Sequence, residues 1–126
     1  MSLQSPLGRV LGLGSAKDGT GHWWAQRVSA VALIPLTLWF MLSLLSLPAL
    51  DYATVRAWLS VPLSSVLALL LVAVLTYHSY LGTTVVIEDY VHAAGTKLLS
   101  LLLLRFLYVL IGGASLLAIL HVSFGS

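Results

Sequence analysis

The sequence predicts an all-α integral membrane protein with three transmembrane helices. Two observations carry that prediction. Of 126 residues, 60% are hydrophobic and 8% charged, with a mean hydropathy of +1.03. So few polar side chains cannot cover a water-soluble globule of this size. The apolar residues also gather into three runs, each reaching the roughly 20 residues that a bilayer-crossing helix needs. A third observation, a histidine and other polar residues on one face of the middle run, makes these spans part of a multi-subunit helical bundle if that histidine acts as a metal ligand, as argued below.

The elements follow in order. Residues 1–22, MSLQSPLGRVLGLGSAKDGTGH, contain only a short, broken apolar stretch. They lack the continuous h-region of a signal peptide and are expected to remain as a cytoplasmic N-terminal segment of an uncleaved, bacterial-type product. Residues 23–126 form the membrane domain. Its first span is expected over 28–47, preceded by Trp23, Trp24, Gln26 and Arg27 and closed by Pro48. Tryptophan and arginine there suit an interfacial anchor. Pro35 lies inside this span and removes one backbone donor, which predicts a local bend unless neighbours satisfy the freed carbonyl.

Asp51-Tyr52-Ala53-Thr54-Val55-Arg56 reads as the connection to a second span over 62–87, with Pro62 at its first helical position. The third span is expected over 98–122. Ala93-Ala94-Gly95-Thr96 makes a short turn before it, so the second and third helices should be antiparallel neighbours. The chain has no internal repeat, heptad seam or low-complexity tail.

Orientation follows from the basic residues. Arg9, Lys17 and Arg27 precede the first span and Lys97 lies between the second and third, whereas Arg56 stands alone in the first loop. Positive-inside bias places the N-terminus and the 89–97 loop in the cytoplasm and the C-terminus in the periplasm, as for a multi-pass protein of a bacterial inner membrane. The formal net charge of +2 is accounted for by that topology. No basic face interleaved with aromatics points to nucleic acid.

The chemistry-bearing residues cluster in LTYHSYLGTTVVIEDYVH. Eleven residues at about 100° each return Asp89 to within roughly 20° of His78, so His78, Gly82 and Asp89 share a helix face. With Asp89 near the cytoplasmic boundary, His78 lies about 16 Å inside, close to mid-membrane. His121 falls near the opposite surface, and His22 and His92 at or beyond the cytoplasmic one, so none joins His78 around one metal. An axial haem ligand at His78 therefore demands a second ligand from another subunit. The chain has no cysteine, which excludes disulfides, covalent c-type haem and an iron–sulfur cluster ligated within it.

Each residue also has a plainer reading. A histidine in a span can simply hydrogen-bond a neighbouring helix, and a glycine one turn away can serve close packing, as is expected of Gly112-Gly113-Ala114-Ser115. Glu88-Asp89-Tyr90 can be a solvated helix end with a belt tyrosine, and Arg27 an anchor. Arg105, about 12 Å inside from Lys97, either snorkels or pairs with a buried acidic group.

In combination the residues resemble a known family. His-x3-Gly-x6-Asp-Tyr at His78, Gly82, Asp89 and Tyr90, with Arg27-Val28-Ser29-Ala30 opening the first of three spans, is similar to the small hydrophobic membrane anchor of succinate dehydrogenase, respiratory complex II. The likeness covers the chain from about residue 20 onward. The Arg-Pro-x-Ser-Pro-His signature of the larger cytochrome b anchor is absent, so the likeness is to the smaller anchor.

The resemblance implies that His78 ligates the iron of one haem b shared with the larger anchor, that Arg27 neutralises a propionate, and that Gly82 makes room for the macrocycle. It implies that Tyr90 donates a hydrogen bond to ubiquinone and that Asp89 orients Tyr90 or pairs with an arginine of the larger anchor. FAD and iron–sulfur clusters would reside in the flavoprotein and iron–sulfur subunits, and succinate oxidation with them. His22 and Arg105 take no role from it. Two alternatives stand beside it: the anchor of a quinol:fumarate reductase running the reverse reaction, and a non-redox scaffold or assembly subunit. An ion-conducting subunit would need a file of ionisable groups across the bilayer, and the outer half offers only His121.

Overall fold

A computed structural model describes residues 15–125, with side chains from Thr20 onward. Arg9 and the side chain of Lys17, both used above for orientation, lie outside the described residues, as does most of the 1–22 segment. The helices are α1 (Ser15–Ser46), α2 (Tyr52–Ser60), α3 (Pro62–Tyr90) and α4 (Ala94–Phe124). Within them, Thr20–Ser46, Pro62–Tyr90 and Ala94–Phe124 are long and apolar enough to cross a membrane.

Each span outruns its apolar run. α1 starts well before Val28 and α3 continues past Ile87 to Tyr90. Hydropathy marks only the stretch that hydrocarbon would solvate. The backbone hydrogen bonds of a helix continue into the interface, where Trp23, Gln26 and Asp89 are tolerated. α1 also runs unbroken through Pro35. The turn before α4 is Val91-His92-Ala93, slightly earlier than expected, because Ala94 and Gly95 already belong to the helix.

α2 is the element that the sequence reading treated as a connection. Asp51 caps it, its carboxylate accepting from the Thr54 backbone N–H at 2.9 Å. Hydrogen bonds from the Thr54 hydroxyl and then its N–H hold the Asp51 carboxyl below the usual carboxylate range. Trp58 stacks on Trp39 of α1, with ring centroids 5.6 Å apart. Arg56 Nη2 donates to the Gly125 carbonyl at 2.7 Å, tying α2 to the end of α4. Pro62 then opens α3, its missing N–H costing nothing in the first turn.

α3 is the central helix, packed against α1 on one side and α4 on the other, while α1 and α4 have no close backbone approach. This open arrangement buries little. Among the described residues the buried hydrophobic side chains are Leu59, Ala68, Leu71 and Leu81, whereas leucines such as Leu42, Leu45, Leu103 and Leu110 point outward. Such faces suit lipid chains and the helices of other subunits.

Candidate functional site

The seam between α1 and α3 is polar where its surroundings are apolar. His22, Gln26 and Ser29 follow one another at i, i+4 and i+7 along α1, a spacing that stacks them on one face. Ser29 is 6% exposed. Its hydroxyl donates to the Gln26 carbonyl at 3.0 Å, and Oγ lies 2.9 Å from His78 Nδ1 across the seam. One turn further along α3, a Cβ added to Gly82 would sit 3.7 Å from Gln26 Nε2, an ordinary van der Waals distance.

Two atoms of the α1 stripe, His22 Nε2 and Gln26 Oε1, are shielded from solvent and have no hydrogen-bond partner among the described residues. Leaving such groups unsatisfied costs about 1–3 kcal/mol each. A polar group from outside the chain would relieve that cost. Ser29 and Gln26 as neighbours of His78 and Gly82 were missed by sequence reasoning. The polar i, i+4, i+7 stripe in an otherwise apolar helix was the available signal.

The other expected residues do not converge on His78. Arg27 lies two positions before Ser29 and therefore on roughly the opposite side of α1. It is exposed, with its guanidinium carbon 5.4 Å from the centre of the Trp23 ring. Glu88, Asp89 and Tyr90 form the last turn of α3 and are exposed, Tyr90 at 78%. Among the described residues none of these four side chains has an ion pair, and Asp89 and Tyr90 have no side-chain hydrogen bond. The shared helix face read from the sequence thus divides in space, with His78 and Gly82 against α1 and Asp89 at the open end.

No three His, Cys, Asp or Glu side chains among the described residues come together as a metal site. His92 and His121 are exposed at the two ends of the bundle. His78 thus belongs to no such cluster among the described residues.

A groove of about 440 Å³ lies on the other side of α3, lined by Tyr77, Tyr80, Arg105 and Tyr108 among others. Neither His78 nor Tyr90 lines it. It belongs to the α3–α4 seam, where Tyr80 and Tyr108 meet edge to face at 5.8 Å and Thr83 Oγ1 lies 3.0 Å from Tyr108 Oη.

Comparison with known proteins gives a consistent picture. The family model described as succinate dehydrogenase/fumarate reductase transmembrane subunit matches residues 1–112. A succinate dehydrogenase hydrophobic membrane anchor subunit of Paracoccus denitrificans is 37% identical over 93 residues, covering 74% of this chain and 72% of that one. A protein of the same name from Rickettsia bellii is 37% identical over 78 residues, covering 62% of each chain. The match therefore spans less than two thirds of the Rickettsia relative's length. The succinate dehydrogenase membrane anchor subunit of Reclinomonas americana is 31% identical over 96 residues, covering 74% of this chain and 80% of its own. No solved structure matches.

Proposed function

The chain belongs to the succinate dehydrogenase/fumarate reductase transmembrane subunit family, and from that membership we propose that it is the small anchor of a succinate:ubiquinone oxidoreductase, with its N-terminus in the cytoplasm. In this reading it docks the flavoprotein and iron–sulfur subunits, pairs with a larger cytochrome b anchor, holds one side of a haem b and completes a ubiquinone site. Three apolar helices and bacterial relatives place it as a multi-pass inner-membrane protein. Succinate oxidation belongs to the partner subunits.

One observation carries the reading. His78 sits about 16 Å from the Asp89 end of its helix, and its Nδ1 faces Ser29 of α1. A neutral imidazole with one nitrogen engaged by the protein fits a haem axial position. The unsatisfied His22 Nε2 and Gln26 Oε1 on the same α1 stripe add polar capacity beside it. Haem bound there supplies a one-electron carrier. His78 would hold its iron together with a histidine of the larger anchor. Gly82 leaves the face of α3 beside His78 low. Arg27, outward and without an acidic partner among the described residues, is the cation proposed to meet a propionate.

Quinone chemistry falls to the open end of α3. Reduction of ubiquinone takes two electrons and two protons, so its carbonyl oxygens need donors close to water while its tail needs an apolar bed. Tyr90 is proposed to donate its phenol O–H to a carbonyl oxygen. Asp89 is proposed to orient that tyrosine or pair with an arginine of the larger anchor, and outward leucines to receive the tail.

A reduced-minus-oxidised visible spectrum of the purified complex, for wild type and His78→Ala, tests the assignment, with subunit retention checked by gel. A b-type band lost or shifted in the intact variant is expected. An unpigmented wild type, or an unchanged spectrum, would replace it with the scaffold reading.

A further inference from the structure

We propose that Ser29 is a positioning residue for His78, fixing the imidazole in its Nδ1–H tautomer and reserving Nε2 for the metal. The inference rests on the reading of His78 as a haem ligand and adds to it the residue that prepares the ligand. A serine hydroxyl has one proton to donate. Ser29 is placed between two neighbours, the Gln26 carbonyl at 3.0 Å and His78 Nδ1 at 2.9 Å. The Gln26 carbonyl only accepts, so the hydroxyl proton goes there, and Oγ turns a lone pair toward the histidine.

Both hydrogen bonds then form together only when His78 Nδ1 carries the ring proton and donates it to Ser29 Oγ. In the other tautomer the serine proton must be given to Nδ1, and the Gln26 contact is lost. Burial sharpens the choice, because Ser29 is 6% exposed and an unmade hydrogen bond at a dry site is not replaced by water. The resulting relay, His78 to Ser29 to the Gln26 carbonyl, anchors the ring to the backbone of α1. It leaves Nε2 unprotonated, the state a metal ligand requires.

A ligand histidine whose remote N–H is hydrogen-bonded is a stronger electron donor to its metal. Loss of the Ser29 hydroxyl should therefore make the iron easier to reduce. The experiment is a potentiometric titration of the haem with low-spin EPR of the oxidised complex, in wild type, Ser29→Ala and Ser29→Thr.

Ser29→Ala is expected to raise the midpoint potential and shift the EPR signal while the subunits stay together. Ser29→Thr, which restores a hydroxyl able to bond the preceding turn, is expected to return both toward wild type. A Ser29→Ala variant that fails to load haem while Ser29→Thr loads it also supports the proposal. A haem-loaded Ser29→Ala complex with unshifted potential and EPR overturns it and leaves the His78 assignment standing. So does loss of haem in both variants with the subunits still assembled. Absence of haem from the wild type overturns the His78 reading itself.

Discussion

α3 has two seams, each with a glycine, and the two glycines meet different surroundings. On the α4 side, Gly112 is buried, and a Cβ added there would come within 3.0 Å of Thr76 Cγ2. On the α1 side, a Cβ at Gly82 would rest 3.7 Å from the Gln26 amide. The first seam is thus tight at its glycine, so that Thr76 must give way to any side chain there, whereas nothing among the described residues demands a glycine at position 82. The polar inventory divides the same way. The hydroxyl of Thr83 donates to the Ser79 carbonyl at 2.8 Å and receives the proton of Tyr108, while His22 Nε2 and Gln26 Oε1 on the α1 side have no partner among the described residues. The Thr83–Tyr108 contact satisfies its own hydroxyls, whereas the α1 side leaves two buried polar atoms without a partner among the described residues.

The largest expected effect breaks the completed seam. Gly112→Leu pushes a side chain into Thr76, and overpacking of this kind costs about 1–3 kcal/mol. Detergent-solubilised complex should unfold earlier in a denaturant titration. An unchanged midpoint would remove the distinction between the seams.

Gly82→Ala sharpens the contrast from the other side. The chain accommodates the added methyl and gains up to about 1 kcal/mol of helix propensity, so the anchor should be no less stable, yet haem per complex should fall. Pigment content and unfolding midpoint measured on one preparation decide this. A full haem complement would assign Gly82 to the chain's own packing.

Tyr108→Phe removes one hydrogen bond from the completed seam but leaves Thr83 bonded to Ser79. Interhelical hydrogen bonds within membranes average about 0.6 kcal/mol, and a loss of that order, with an unaltered haem spectrum, is expected in the same denaturant titration.

The smallest effect lies outside both seams. Because the Asp51 carboxyl is held low by Thr54, its cap stabilises α2 fully above the carboxyl's unfolded-state pKa. That contribution is lost as pH falls through the lower folded-state value. The protection of the Thr54 amide against hydrogen exchange, measured relative to its intrinsic rate at each pH, should fall under acid in wild type, and Asp51→Asn should flatten that dependence without touching the haem.

Much of this molecule was legible along the chain. Three runs of apolar residues defined three spans, because hydrocarbon admits only backbone that satisfies its own hydrogen bonds. α2 escaped notice because a nine-residue interfacial helix has no bilayer-length apolar signal. Its marks were the Asp51 cap and the Trp58 that stacks on Trp39. At the candidate site, His78, Gly82, Asp89 and Tyr90 stood out by spacing, but spacing could not tell that Ser29 would be the partner of His78.

The sequence by itself determined the solvent, the number of crossings and the family, since all three depend on composition and order along one strand. The tertiary structure alone decided which face of α1 meets α3, that Arg27 turns away from that seam, and that Ser29 Oγ lies 2.9 Å from His78 Nδ1. Helix periodicity specifies a face only relative to its own axis. Which faces meet is settled by the packing of one helix on another.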